Sequence, residues 1–322
     1  MGAAAPRLVV LGSINMDLVA RVERLPRAGE TVAGRELLQI PGGKGANQAV
    51  AAARLAAATV MVGRVGDDAF GERLRKALSA SSVSVEHVKV VPDCSSGVAL
   101  IGVEDSGQNA ITIVSGANGH LTPRDVQDVE HVIAAAEALL LQLEVPLDTV
   151  TAAAAAAQRH GVLAILDPAP APQQGLPDPL FRVDVISPNQ TEAEQLTGIP
   201  VTDPASARQA AARLLDRGAK AAVIKLGAQG AFWCVRQGAC GHVPAAKVPV
   251  VDTTAAGDAF TAALALQWAQ GAAPQDAVRF GCAAGTLATT RLGAQQSMPT
   301  RAEVERFLAA VGSGEAAEAL PV

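Results

Sequence analysis

The chain has 322 residues, 49% hydrophobic and 18% charged, which excludes a disordered, self-repelling polymer and provides for a large core. Its 26 basic against 31 acidic residues leave a net charge of −5, so no broad surface for DNA or RNA is expected and any anion must be held locally. Six Phe, two Trp and no Tyr speak against base-stacking platforms and against sugar recognition by stacked rings.

The length corresponds to about two average domains, and one large core with an inserted element accounts for it equally well. Mean hydropathy is +0.25, but Ala carries it. No stretch reaches the ~18 unbroken apolar residues of a membrane helix, and even the Ala-rich run over 48–62 is cut by Arg54. Cys94, Cys234, Cys240 and Cys282 make neither a disulfide scaffold nor a zinc-ligand spacing, so free thiols are expected. Residues 1–6 lack the basic start and apolar stretch of a secretory signal. A cytoplasmic protein without membrane or nucleic-acid partners is expected.

In chain order, a fully apolar strand over 8–11 opens the core. Half-polar strand pieces follow over 18–22 and 31–38, with a turn at 26–29. After the glycines at 42–45 come an Ala-dominated helix over 46–57 and a strand over 59–65. Phe70, Leu74 and Leu78 mark one face of a helix over 67–79. Strands over 97–104 and 109–114 flank the hairpin signal Asp105-Ser106-Gly107-Gln108 and are expected to pair with the earlier half-polar pieces.

A regular alternation begins near 122: helix 123–136, strand 138–143, helix 147–159, strand 163–167, strand 183–187, helices 191–196 and 205–217, strand 221–226. Strand pieces near 235 and over 243–250 add an antiparallel margin, and helices over 257–270, 274–290 and 301–311 complete the pattern. Residues 312–322 read as a fraying acidic tail. Repeated strand-helix-strand units predict an α/β fold with a mostly parallel sheet and helices on both faces.

Gly42-Gly43-Lys44-Gly45-Ala46-Asn47 is a glycine turn that opens a helix, exposing backbone N–H groups to an anion or to sugar oxygens. It has neither Walker A nor dinucleotide-fingerprint spacing. Asp252-Thr253-Thr254-Ala255-Ala256-Gly257-Asp258 precedes another helix, whose free N–H groups suit a phosphoryl group. A carboxylate beside bound phosphate, at Asp258, is unfavourable unless it accepts a proton from an attacking hydroxyl; the alternative is an acid that complements the helix dipole. Asn189-Gln190-Thr191-Glu192 either orders Mg²⁺ and its waters or caps a helix. Leu226-Gly227-Ala228-Gln229-Gly230 is a strand-end glycine turn, and Asn15, Asp17 and Glu144 follow strands at the same carboxyl edge.

Extended to Gly42–Ala49 and Asp252–Phe260, these two clusters resemble the two signatures of the PfkB-type carbohydrate kinases. The resemblance runs from 8 to about 308, through Gly12-Ser13-Ile14-Asn15-Met16-Asp17, Gln142-Leu143-Glu144 and Asp167-Pro168-Ala169-Pro170. It is strongest to the members that phosphorylate ribose.

The resemblance implies a three-layer α/β/α domain over 1–312, with a small β lid inserted at about 17–40 and 97–115 and a flexible tail over 313–322. It implies ATP as co-substrate for phosphorylation of D-ribose at O5. Asn15, Asp17, Gly43, Lys44, Asn47 and Glu144 would hold the sugar, and Asp258 would deprotonate the 5-hydroxyl. The N–H groups of Ala255, Ala256 and Gly257 would form an anion hole. Asn189, Lys225, Leu226, Gly227, Ala228, Gln229, Gly230, Gly257 and Cys282 would meet the nucleotide, with Asn189 and Glu192 holding Mg²⁺ through water. K⁺ would lie at Asp252, Thr254, Ala288, Arg291, Gly293 and Ser297, mostly on backbone carbonyls. A homodimer through the lid is also implied.

Two positions depart from the pattern: many relatives have Gly at Ala255, and some have His at Cys282. Fructose, deoxyribose, adenosine and pseudouridine remain open as acceptors, as does a non-catalytic sugar-binding regulator.

Overall fold

The structure is a computed structural model that describes residues 5–312; the expected tail over 313–322 lies outside the described residues. β1 (Arg7–Leu11) is buried from Leu8 onward, as an unbroken apolar run in a parallel sheet requires. The chain leaves the main sheet through β2 (Asn15–Val22) and β3 (Gly34–Gly42) and returns through α1 (Lys44–Arg54) and β4 (Ala58–Gly66). The Asp68 carboxylate caps α2 (Ala69–Ala80), which leads to β5 (Ser84–Val91). β6 (Gly97–Glu104) and β7 (Asn109–Val114) form the predicted hairpin.

The alternating half comprises α3 (Pro123–Asp128), α4 (Glu130–Ala134), β8 (Ala138–Leu141), α5 (Leu147–His160), β9 (Leu163–Leu166), β10 (Val185–Ile186), α6 (Gln190–Thr197), α7 (Pro204–Arg217) and β11 (Ala221–Lys225). β12 (Ala231–Val235), β13 (Cys240–Val243), α8 (Ala256–Ala269), α9 (Pro274–Ala288) and α10 (Arg301–Gly312) follow.

Nine strands form the main sheet in the order β13-β12-β11-β10-β9-β8-β1-β4-β5, parallel except for β12 and β13. Alternate side chains of β1 separate two cores. Leu8 and Val10 pack with α1, α8 and α9, whereas Val9 and Leu11 pack with α5 and α7, giving three layers. Alanines line both helical faces, so the helices lie close to the sheet. The small sheet has the order β3-β2-β6-β7, and the expected pairing of the half-polar pieces with the hairpin is the parallel β2–β6 ladder.

Four expectations change. β5 carries no clear alternation in sequence and is not anticipated. The single helix over 123–136 is two, interrupted at Val129 (φ −107°, ψ 12°) where β-branched Val126, Val129, Val132 and Ile133 crowd a short span. The strand over 243–250 stops at Val243, because Pro244 has no N–H to continue the ladder. The four free thiols are two, Cys94 and Cys282. Cys234 and Cys240 stand directly opposite each other in the β12–β13 register, with Cα atoms 4.1 Å apart, and are bonded. A hairpin brings facing side chains of its two strands this close, which a reading by spacing between cysteines overlooks. Among the described residues, no helix is long and apolar enough to cross a membrane.

Candidate active site

The site lies where β1, β2 and α1 meet the N-terminal end of α8. Gly43 adopts φ +89° as the residue before α1, a conformation that L side chains rarely take. A Cβ there would stand 2.7 Å from Asn15 N, and one on Gly42 would stand 2.1 Å from Asp17 Oδ2. The glycine pair therefore lets the start of α1 press against the two polar residues that open β2. Asn15 and Asp17 follow β1, as read from the sequence, and lie within β2.

Asn118 holds Asn15 in place: its Nδ2 donates to Asn15 Oδ1 at 2.7 Å, and its Oδ1 accepts from Ile14 N at 2.9 Å. On the opposite wall Ser13 Oγ donates to Glu144 Oε2 at 2.5 Å, and Lys44 N donates to the same oxygen at 3.3 Å.

Asp258 is the third residue of α8 and is buried. Its Oδ2 accepts from Asn47 Nδ2 at 3.0 Å and its Oδ1 from Gln48 Nε2 at 3.1 Å. Burial pushes its carboxyl up to about 6; Lys44 opposes that shift and Asp167 adds to it. Asp17 is pushed up to about 7, first by burial and then by the charges of Glu144 and Asp258. Burial disfavours the charged form of Lys44, yet Asp258, Asp167, Glu144 and Glu192 together hold its ammonium above the usual lysine range. Asn47 Oδ1 is buried without a donor from the protein. Buried oxygens are usually paired in native structures, so this one is left able to accept a hydrogen bond.

Beyond Asp258 opens a cavity of about 690 Å³, within the usual range for small-molecule sites. Lys225, Gly227, Val248, Val250, Cys282 and Thr286 are among its walls, and Ala255, Ala256 and Gly257 form its floor. No side chain caps α8; Ala256 N reaches Thr253 O at 3.3 Å, and an uncapped helix start offers its remaining N–H groups to an anion. Lys225 Nζ lies 2.8 Å from Asp167 Oδ1 and 3.7 Å from where a Cβ on Gly257 would stand, placing a cation beside that helix end. Burial pushes the Cys282 thiol up to about 12, so it serves as an apolar wall.

Ala255 precedes α8 in the left-handed region, φ 58°, which costs a Cβ-bearing residue roughly 1 kcal/mol. Ala255→Gly is expected to stabilise the fold by up to about that amount, a Tm rise of roughly 2 °C by thermal denaturation for a chain of this size.

The sequence pattern of the pfkB family carbohydrate kinases matches residues 5–301. The chain belongs to this family. The ribokinase of Haemophilus influenzae is 42% identical over 302 residues, which cover 94% of this chain and 98% of that protein. The deoxyribokinase of Salmonella typhi is 36% identical over 301 residues, with 94% and 98% covered. The structure of Arabidopsis thaliana ribokinase complexed with ribose and ATP matches with a TM-score of 0.89 at 36% identity, covering 94% of this chain and 99% of that one.

Within the kinase, Lys44, Asn189, Glu192, Lys225, Gly227, Ala228, Gly230, Ala255, Ala256, Gly257, Asp258 and Cys282 all border this same cavity. Leu226 is buried beneath it, and Gln229 turns away to donate to Thr202 O at 2.9 Å. Asn189 and Glu192 form a reciprocal cap on α6, with Asn189 N and Nδ2 each 2.8 Å from a Glu192 carboxylate oxygen. Among the described residues no group of three His, Cys, Asp or Glu could hold a metal, so these two fit Mg²⁺ only through water and phosphate oxygens.

Of the six residues expected around K⁺, Asp252, Thr254 and Gly293 are joined: Asp252 accepts from Thr254 N and Gly293 N, each at 2.9 Å. Arg291 turns its guanidinium to Glu303, and Ser297 Oγ donates to Ala294 O at 2.8 Å. Ala288 O accepts from Arg291 N at 3.4 Å. The Asp252–Gly293 contact ties the loop before α8 to the loop after α9.

Ser13, Gln48, Asn118, Gln142 and Asp167 belong to the site without having been assigned a role from sequence. All but Asn118 stand inside the quoted motifs, where their neighbours drew the attention.

Proposed function

We propose that the kinase transfers the γ-phosphoryl group of ATP to O5 of D-ribose, giving D-ribose 5-phosphate and ADP. One observation carries this reading: Asp258 joins the anion-binding end of α8 to a hydroxyl-binding cluster made of Asp17, Lys44, Asn47 and Glu144. A phosphoryl group on the α8 amides and a sugar on that cluster would place the acceptor hydroxyl beside the Asp258 carboxylate. Asp258 takes the hydroxyl proton as the oxygen attacks, and the N–H groups of Ala255, Ala256 and Gly257 bear the charge that develops on the transferring group.

Lys225 balances the phosphates from the opposite side, and Asn189 and Glu192 would hold Mg²⁺ through water. When bound there, Mg²⁺ would supply positive charge to the phosphate oxygens. K⁺ at the Asp252–Gly293 junction would add positive charge behind the anion hole.

The small sheet would act as the lid. Neither its strands β2 and β3 nor β6 and β7 contain an aromatic residue, which supports a small hydroxyl-rich acceptor over a nucleoside whose base needs stacking. Ile111 and Ile113 share the face of Asp17 by register yet remain about half exposed, as do Leu37 and Leu100 on the other face. Such an apolar sheet supports a homodimer formed through the lid. A cytoplasmic location agrees with this use of ATP. The similarity to a deoxyribokinase favours 2-deoxyribose as the second acceptor.

Protonation of Asp17 at about 7 removes a charged hydroxyl acceptor, and protonation of Asp258 at about 6 removes the base. kcat/KM for ribose is therefore expected to fall as pH drops through 7 and more steeply below 6, in initial-rate profiles. 5-Deoxyribose, which lacks the acceptor oxygen, is expected to compete with ribose and release no ADP. ADP release from it at the ribose rate contradicts the O5 assignment.

A further inference from the structure

We propose that Gln48 is a positioning residue for phosphoryl transfer: its side-chain amide clamps Asp258 and Asp167 together and so links the base to the cation over the nucleotide cavity. The proposal rests on Asp258 as the base.

Gln48 lies on α1 and is fully buried. One amide group spends both its N–H bonds on carboxylates, reaching Asp167 Oδ2 at 3.0 Å and Asp258 Oδ1 at 3.1 Å. Its orientation is not free. Gln48 Oε1 accepts from Gln142 Nε2 at 2.6 Å, so a flipped amide would set its oxygen against two carboxylates and its N–H groups against those of Gln142. The far oxygen of Asp167 meets Lys225 Nζ at 2.8 Å. A continuous chain thus runs from Gln142 through Gln48 to both acids and on to Lys225.

The charged groups facing Asp258 are Lys44 on α1, Asp167 after β9 and Asp17 on β2. Asp167 raises the Asp258 carboxyl, and the bonds from Asn47 and Gln48 lower it. A neutral two-pronged donor lets two buried carboxylates stay ionised side by side, which Coulomb repulsion in a dry site otherwise resists.

Gln48→Met keeps the length and removes both donors. At saturating ribose and ATP its kcat is expected to fall about tenfold to a hundredfold, the usual weight of hydrogen bonds to charged groups. The acid limb of its kcat–pH profile is expected to move up by about one pH unit, the equivalent of one such bond, with the KM for ATP changed less than kcat. A purely structural role would not move that limb. Gln142→Met touches neither carboxylate and frees the clamp's orientation, so the same limb should shift the same way by a smaller amount; it decides the matter if Gln48→Met does not fold. Wild-type kcat and acid limb in folded Gln48→Met, or in Gln142→Met where that variant alone folds, overturn the clamp. Asp258→Asn run beside them separates the two levels. If it is inactive while the glutamine variants are normal, only the clamp fails; if it turns over normally, the base assignment itself fails.

Discussion

Asp258→Asn is expected to lower kcat by about 10²–10⁴-fold, the usual range for removing a general base, while the KM for ribose changes less than tenfold. The substitution preserves shape and leaves the anion-binding end of α8 intact, because that end is made of main-chain N–H groups. It removes the carboxylate proposed to take the proton from the acceptor, which borders the cavity and is bound by Asn47 of the hydroxyl cluster. Its cost is not confined to the proton. Asp258 accepts from both Asn47 and Gln48, and an amide at 258 can accept on one side only, so one of those donors is left facing another donor. Steady-state rates with ribose calorimetry separate the effects: lost turnover with retained binding marks the base, and lost binding marks a collapsed site.

Lys225→Met is expected to destabilise the fold by about 3–5 kcal/mol, the usual cost of stripping one partner from a buried ion pair. Asp167 is 2% exposed and Lys225 13%, so little water is available to replace the ammonium. The same substitution removes the cation beside the α8 N-terminus and should raise the KM for ATP more than that for ribose. Adding Asp167→Asn is expected to restore most of the stability in urea melts without restoring ATP affinity. A double variant that regains both would mean that Lys225 acts on the nucleotide only through Asp167.

Much of this site was legible before the fold because the chemistry is packed into short, glycine-marked segments. The approach of Gly42 and Gly43 to Asn15 and Asp17 forbids a Cβ, so the glycines advertise it. The α8 start was equally visible, since an acid in the first turn after a small-residue run is a local pattern. Asn118 was not, because it reaches Asn15 across 103 positions from a short turn that carries no motif. Gln48 and Asp167 were in view but mute, as their roles exist only once α1, β9 and α8 converge.

The same limit explains the errors in the fold. β5 is recruited by pairing with β4 rather than by its own periodicity. The Cys234–Cys240 bond depends on strand register, which spacing between cysteines does not reveal. The cavity wall over 244–250 is irregular chain, recognisable only by what it encloses.

The most direct test of the account is the rate of ADP release by the purified kinase with MgATP and K⁺ over a panel of ribose, 2-deoxyribose, fructose and adenosine. The highest kcat/KM is expected for ribose, with 2-deoxyribose second and adenosine near background. Turnover of adenosine without ribose, or ribose binding that never yields ADP, would contradict it.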